Sequence, residues 1–235
     1  MKKLLITGFD PFGGEKINPA WEAVKRLPDV VGDLALTRLM IPTVFGLAGE
    51  KVLEAAQALS PDYILCVGQA GGRSAVTPEV VGINLRVAGI PDNAGNQPRF
   101  EPCDKEGANA YFATLPVEKM VSAIREAGLP ASLSFSAGAF VCNDLLYTVL
   151  RATEGTKIRA GFIHVPYLPE QTKDKPCLPL SDIVKALTAA IRAINDEAWS
   201  SETQNTPVTF SAACRRHEKI CHFSKFPIDK SVNLW

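Results

Sequence analysis

The chain has 235 residues but only three histidines, His164, His217 and His222. It has no Cys-x-x-Cys pair, no apolar run of transmembrane length and no excess of charge. Each of these shortages excludes something. Twenty-five Lys and Arg balance 25 Asp and Glu. That balance argues against nucleic acid or an anionic membrane as the main partner. Without a long apolar run there is no membrane span to expect. The start, Met1 to Gly8, imitates a signal peptide for a few residues. Its apolar stretch stops at Gly8-Phe9-Asp10, too short for a signal core, so it reads as a first strand in a cytoplasmic protein. The six cysteines are scattered, which in such a chain means free thiols rather than a disulfide frame. The loop Gly8-Phe9-Asp10-Pro11-Phe12-Gly13-Gly14 lacks the spacing of a phosphate-binding loop, so a nucleotide is not expected.

What is present is ordinary for a globular chain: 46% hydrophobic and 21% charged residues. Length and composition suit one α/β domain with a full core. Leu4–Thr7, Leu34–Ile41, Tyr63–Val67, Ala131–Ser136 and Arg159–Pro166 read as strands. Between them lie helical patterns. One is capped by Asn18 with Pro19 at its first position and shows Trp21, Val24 and Leu27 on one face. Others cover Thr43–Leu59, Pro116–Ala127, the stretch from Cys142 to about Arg151, and Asp182–Asn195 with Ser181 as cap. Thr77–Leu85 is strand-like, and Ile90–Pro102 is a long loop rich in Pro, Asn and Gly. Residues 1–198 are expected to form a single α/β domain, with a polar, aperiodic tail over 199–235. Cys214, His217, Cys221 and His222 cluster in that tail, in a spacing that matches no zinc frame. The alternation of strands and helices predicts an α/β fold: three layers, α/β/α, around a mostly parallel twisted sheet.

The chemistry concentrates at Ser136–Asp144. A small apolar approach runs into Cys142, and a helical pattern follows. A cysteine at a helix N-terminus has a dipole and free N–H groups that favour the thiolate and can hold an oxyanion. It also needs a base. His164 is the only histidine outside the tail, at the carboxyl end of a strand. The plainer alternative is a buried structural cysteine. Phe9 and Phe12 are either a hydrophobic staple under their loop or a ligand clamp. Gln69, in the loop after Tyr63–Val67, either bonds a ligand or ties its loop together. Glu79, by position alone, reads as a surface charge. In a parallel α/β sheet, ligands bind outside the carboxyl ends of the strands. The Phe9/Phe12 loop, the Gln69 loop, Cys142 and His164 all fall at that edge.

Four motifs carry a resemblance. They are Thr7-Gly8-Phe9-Asp10-Pro11-Phe12-Gly13-Gly14, Val67-Gly68-Gln69-Ala70-Gly71-Gly72-Arg73, Phe140-Val141-Cys142-Asn143 and Gly161 to Gln171. Together they resemble the pyroglutamyl peptidase I family, also called pyrrolidone-carboxylate peptidases, over about residues 3 to 197. The resemblance implies a cysteine exopeptidase that removes an N-terminal pyroglutamyl residue from peptides. It also implies a homotetramer and no metal or organic cofactor. It places the family's triad on Glu79, Cys142 and His164. Phe9, Phe12, Asn18, Gln69, Phe140 and Val141 are the candidate substrate-binding residues.

The chain departs from the family pattern at two positions near the site. Val80 follows Glu79, and Gly89 precedes Ile90-Pro91-Asp92-Asn93, where the family usually has arginines. Arg86 is a candidate substitute. A second reading follows: a weakly active or non-hydrolytic pyroglutamyl-peptide-binding protein on the same fold.

Overall fold

The computed structural model describes residues 1–195, and the Cys/His cluster of the tail lies outside them. The elements run in the order β1 (Lys2–Phe9), α1 (Pro19–Val24), β2 (Val30–Val31), β3 (Leu34–Ile41), α2 (Leu47–Leu59), β4 (Tyr63–Gln69), β5 (Thr77–Glu79), β6 (Val81–Ile83), β7 (Ala110–Phe112), α3 (Val117–Glu126), α4 (Val141–Thr153), β8 (Arg159–Val165) and α5 (Leu180–Asn195). A 3₁₀ turn over Pro169–Gln171 precedes α5.

Six strands make the main sheet in the order β2-β3-β1-β4-β8-β5. β3, β1, β4 and β8 are parallel, and only the short edge strands β2 and β5 run antiparallel to their neighbours. β6 and β7 form a separate antiparallel pair. The central strands are buried on both faces, which is why they read as unbroken apolar runs. Side chains alternate between the faces. Leu4, Ile6, Leu65, Val67, Ile163 and Val165 meet α1, α3 and α5 on one side. Leu5, Phe9, Ile64, Cys66 and Phe162 meet α2 and α4 on the other. The mostly parallel three-layer α/β/α architecture is the expected one. Among the described residues no helix is long and apolar enough to cross a membrane.

Parity along the strands decides what reaches the α4 side. In β8, His164 follows Ala160 and Phe162 by two-residue steps and so shares their face. In β4, Gly68 follows Ile64 and Cys66 in the same way. The register pairs Gly68 with His164. Both therefore lie on the α4 side at the carboxyl edge of the sheet.

Three expected elements differ. Ala131–Ser136 is not a strand of the sheet. It runs beside β5 with isolated bridges at Val76–Ala131 and Glu79–Ser134. The neighbour of β8 is instead β5, which is too short for its periodicity to be read. The helix expected over Thr43–Leu59 begins only at Leu47. Gly46 before it has φ +74°, a left-handed conformation that interrupts a helix. Ser181 lies inside α5 instead of capping it, because the Pro179 carbonyl already accepts from Asp182 and Ile183 N–H.

Candidate active site

Cys142 is the second residue of α4. The backbone before it turns at Gly138, whose φ of +78° excludes most side chains. Phe140 holds the N-cap position and makes no side-chain capping hydrogen bond. The first N–H groups of α4 are thus left without a side-chain cap. The two residues after Cys142 anchor this turn. Asn143, fully buried, accepts from Ile83 N–H at 2.9 Å and donates to the carbonyls of Ile83 and Leu85. Asp144, also fully buried, accepts from Arg86 Nε at 2.6 Å and from Gly46 N–H at 2.8 Å. These anchors fix α4 against β6 and against the start of α2. Sequence reasoning missed them, although two polar residues directly behind a candidate nucleophile were a signal.

The backing of His164 is also built from the sheet. β5 runs antiparallel to β8, with Thr77 opposite His164 and Glu79 opposite Phe162. Glu79 is therefore a diagonal same-face neighbour of His164. Its Oε1 lies 2.6 Å from His164 Nδ1. The reading of Glu79 as a surface charge is overturned: it is 0% exposed. Arg73, in the loop after β4, donates to the same Oε1 at 2.6 Å, to Thr77 Oγ1 at 2.5 Å and to the Ser136 carbonyl at 3.0 Å. Arg73 was visible only as the end of a motif. Nothing in its spacing indicated that it reaches Glu79.

Electrostatics define the resting state. Burial raises the Glu79 pKa, but hydrogen bonds and charge from His164, with Ser134 and Arg73, outweigh it and hold the carboxyl below its usual range. Burial, with the Arg73 charge, holds His164 below the usual histidine value against the opposing pull of Glu79. At rest, then, a neutral imidazole keeps its Nδ1 proton and donates it in a hydrogen bond to the Glu79 carboxylate, which leaves Nε2 as the basic nitrogen. Burial, with the Glu79 charge, pushes the Cys142 thiol up to about 12. Desolvation is the largest cause, ahead of the Glu79 charge, and Arg73 opposes both. A thiol that needs a base is what the proposed partnership with His164 requires.

Cys142 and His164 meet at a cavity of about 210 Å³. Phe9, Phe12, Asn18, Gln69 and Phe140 also line it, with Thr43, Ala70 and Ala137. Phe12 and Phe140 pack at 5.7 Å between ring centroids, and Phe45 meets Phe140 edge-on at 5.2 Å. Phe9 is at once core and wall, since it also packs on Phe162. Asn18 has both polar ends committed: Oδ1 accepts from Ala20 N–H, and Nδ2 donates to the Asp10 carbonyl. Gln69, expected in a loop, is the last residue of β4; its Oε1 accepts from Gln171 Nε2 at 3.0 Å, which ties the strand end to the 3₁₀ turn after β8. Val141 is different. It is fully buried in the core beneath α4 and is not among the lining residues. Val80 and Gly89 do not line the cavity either, nor does Arg86, whose partner is Asp144. Among the described residues no group of His, Cys, Asp and Glu is arranged to hold a metal.

A family model described as pyroglutamyl peptidase matches residues 2–197. The chain belongs to the pyroglutamyl peptidase family. Among its pyroglutamyl peptidase relatives, the pyrrolidone-carboxylate peptidase of Levilactobacillus brevis is 57% identical over 197 residues, 82% of this chain and 97% of that protein. The Staphylococcus carnosus pyrrolidone-carboxylate peptidase is 52% identical over 200 residues, 83% of this chain and 94% of that one. A crystal structure of pyroglutamyl peptidase I from Bacillus amyloliquefaciens has a TM-score of 0.82 at 48% identity, covering 84% of this chain and 98% of that one. The pyrrolidone carboxyl peptidase of Thermococcus litoralis has a TM-score of 0.80 at 34% identity, covering 83% of this chain and 94% of that one.

Proposed function

We propose that this chain is a cysteine exopeptidase that hydrolyses the bond after an N-terminal pyroglutamyl residue, using Cys142, His164 and Glu79. One observation carries the proposal. The thiol at the start of α4 and an imidazole oriented by a buried carboxylate open onto one aromatic-walled cavity, in a member of the pyroglutamyl peptidase family.

The chemistry follows from the parts. His164 Nε2 takes the Cys142 proton as the sulfur attacks the pyroglutamyl carbonyl carbon. Glu79 holds the Nδ1 proton and stabilises the imidazolium that forms. The N–H groups of the first turn of α4 receive the oxyanion. The tetrahedral adduct collapses, the peptide amine leaves with the proton from His164, and a thioester to Cys142 is left. Water then gives a proton to His164 and attacks the thioester. Free pyroglutamate leaves and the proton returns to sulfur.

Phe9, Phe12 and Phe140 suit the apolar faces of a flat, uncharged lactam ring, and Gln69 suits its polar edge. Asn18 supports the wall through its two structural bonds. The alternative of a non-hydrolytic binder rests on Val80 and Gly89, two residues away from the cavity. Arg73 already brings a positive charge to Glu79, which favours the enzyme. The proposal includes a peptidase domain over 1–198, supported by the family match ending at residue 197. It also includes a cytoplasmic location and a homotetramer, for which exposed Ile90, Phe100, Phe112 and Phe135 offer apolar contact surface. Hydrolysis of a fluorogenic pyroglutamyl amide by the purified chain tests the activity. Pyroglutamyl amide bound but not cleaved favours the binder.

A further inference from the structure

The Arg73 side chain is 30% exposed, while the carboxylate it meets is fully buried. An exposed ion pair of this length is usually worth little. This one differs because its guanidinium makes three contacts with separate parts of the site. One nitrogen meets Glu79 Oε1 and Thr77 Oγ1 on β5. The other meets the Ser136 carbonyl at the head of the approach to Cys142. Ser136 then turns through its hydroxyl to Gly138 N–H at 3.2 Å, four residues before the nucleophile. A planar fork can hold a carboxylate and a carbonyl at a fixed separation, which an ammonium cannot.

We propose that Arg73 is a positioning residue that fastens the carboxylate behind His164 to the loop that delivers Cys142, so that base and nucleophile are held in one geometry. This rests on the triad reading above. Oε1 of Glu79 is shared between His164 and Arg73, so the carboxylate is fixed from two sides. The groups around this point are Glu79 and Thr77 on β5, His164 on β8, Cys142 on α4, Cys66 on β4 and Ser134 beside β5. Arg73 acts in one direction on all three members of the triad: its charge or hydrogen bond favours the deprotonated Glu79, His164 and Cys142 alike.

That common direction separates positioning from simple support of the fold. Loss of fold support lowers the amount of active protein at every pH. Loss of Arg73 moves the pH profile itself upward. The test is the rate of Cys142 alkylation by iodoacetamide against pH, read by peptide mass mapping, which requires no turnover. In Arg73→Gln the acid limb is expected to rise by about one pH unit, the usual scale for a charge at this range. An unchanged midpoint in Arg73→Gln overturns the proposal. Arg73→Lys keeps the charge and loses the fork, and serves if the Gln variant does not fold. It is expected to keep the wild-type acid limb while kcat on a pyroglutamyl amide falls about tenfold at constant KM, as for lost orientation. Wild-type kcat in Arg73→Lys overturns the fork. Failure of the wild-type chain to cleave the amide refutes the peptidase reading separately, because the alkylation profiles still report on Arg73.

Discussion

Cys142 Sγ lies 3.0 Å from the point that a Cβ on Gly68 would occupy. The same Cβ would stand 2.7 Å from the Phe162 ring. Gly68 is the register partner of His164, so the absence of its side chain makes room for sulfur beside the imidazole. Gly68→Ala is expected to displace the thiol and lower kcat/KM by about a hundredfold, the scale of a misplacement near 1 Å. Steady-state kinetics with an unchanged far-UV spectrum checks it.

The acid limb of kcat/KM reports the base. A folded-state pKa lowered by burial means that His164 stays neutral at pH values where a free histidine is already charged. The reaction needs the neutral form, so activity is lost only as pH falls through that lowered value. The midpoint of the acid limb is expected below 6.5, the unperturbed histidine value. A midpoint above 6.5 contradicts the assignment of His164 as a buried neutral base.

Asp144→Ala is expected to destabilise the fold by about 2 kcal/mol or more, the range for a lost charge-assisted hydrogen bond. It strips Arg86 of its partner and Gly46 N–H of its acceptor. Denaturant unfolding measures the loss. The variant that folds is also expected to lose turnover, because Asp144 fixes the first turn of α4.

Specificity follows from the cavity. A prolyl ring has a similar outline but a charged amine and no lactam carbonyl. A glutamyl N-terminus carries an ammonium and a carboxylate. An aromatic cavity penalises both through desolvation and unpaired polar groups. Amides of one dye, compared by kcat/KM, are expected to favour pyroglutamyl over prolyl by at least a thousandfold, toward the roughly ten-thousandfold that such sites reach. Similar rates on the two compounds would refute the lactam pocket.

Much of this arrangement was legible in the residues, and the reasons differ by element. Unbroken apolar runs revealed β1, β4 and β8, and their carboxyl ends placed Phe9, Gln69 and His164 on one edge. Cys142 was legible because a small apolar approach met a helical period. Glu79 was not. Its strand has three residues, too few to show a period, and its burial depends on pairing with β8, more than eighty positions away in the chain. Family resemblance, not residue pattern, assigned it. Arg73 stayed hidden for the same reason, since its partners lie on β5 and in the Ser136 loop. The burial that raises the Cys142 thiol was hidden too, because a helix terminus can be read from sequence while desolvation cannot.

The central claim is that one thiol does the chemistry. The direct measurement is hydrolysis of a pyroglutamyl amide while Cys142 is alkylated to completion, with parallel assays of Glu79→Gln and His164→Ala. Activity is expected to fall in proportion to Cys142 modification and to reach zero. Cys66, buried with its thiol pushed up to about 12, is expected to remain unlabelled. Glu79→Gln is expected to lose about a hundredfold or more in kcat with the fold intact, and His164→Ala at least as much, as for a general base and its orienting partner. Full hydrolysis with Cys142 quantitatively alkylated would contradict the account.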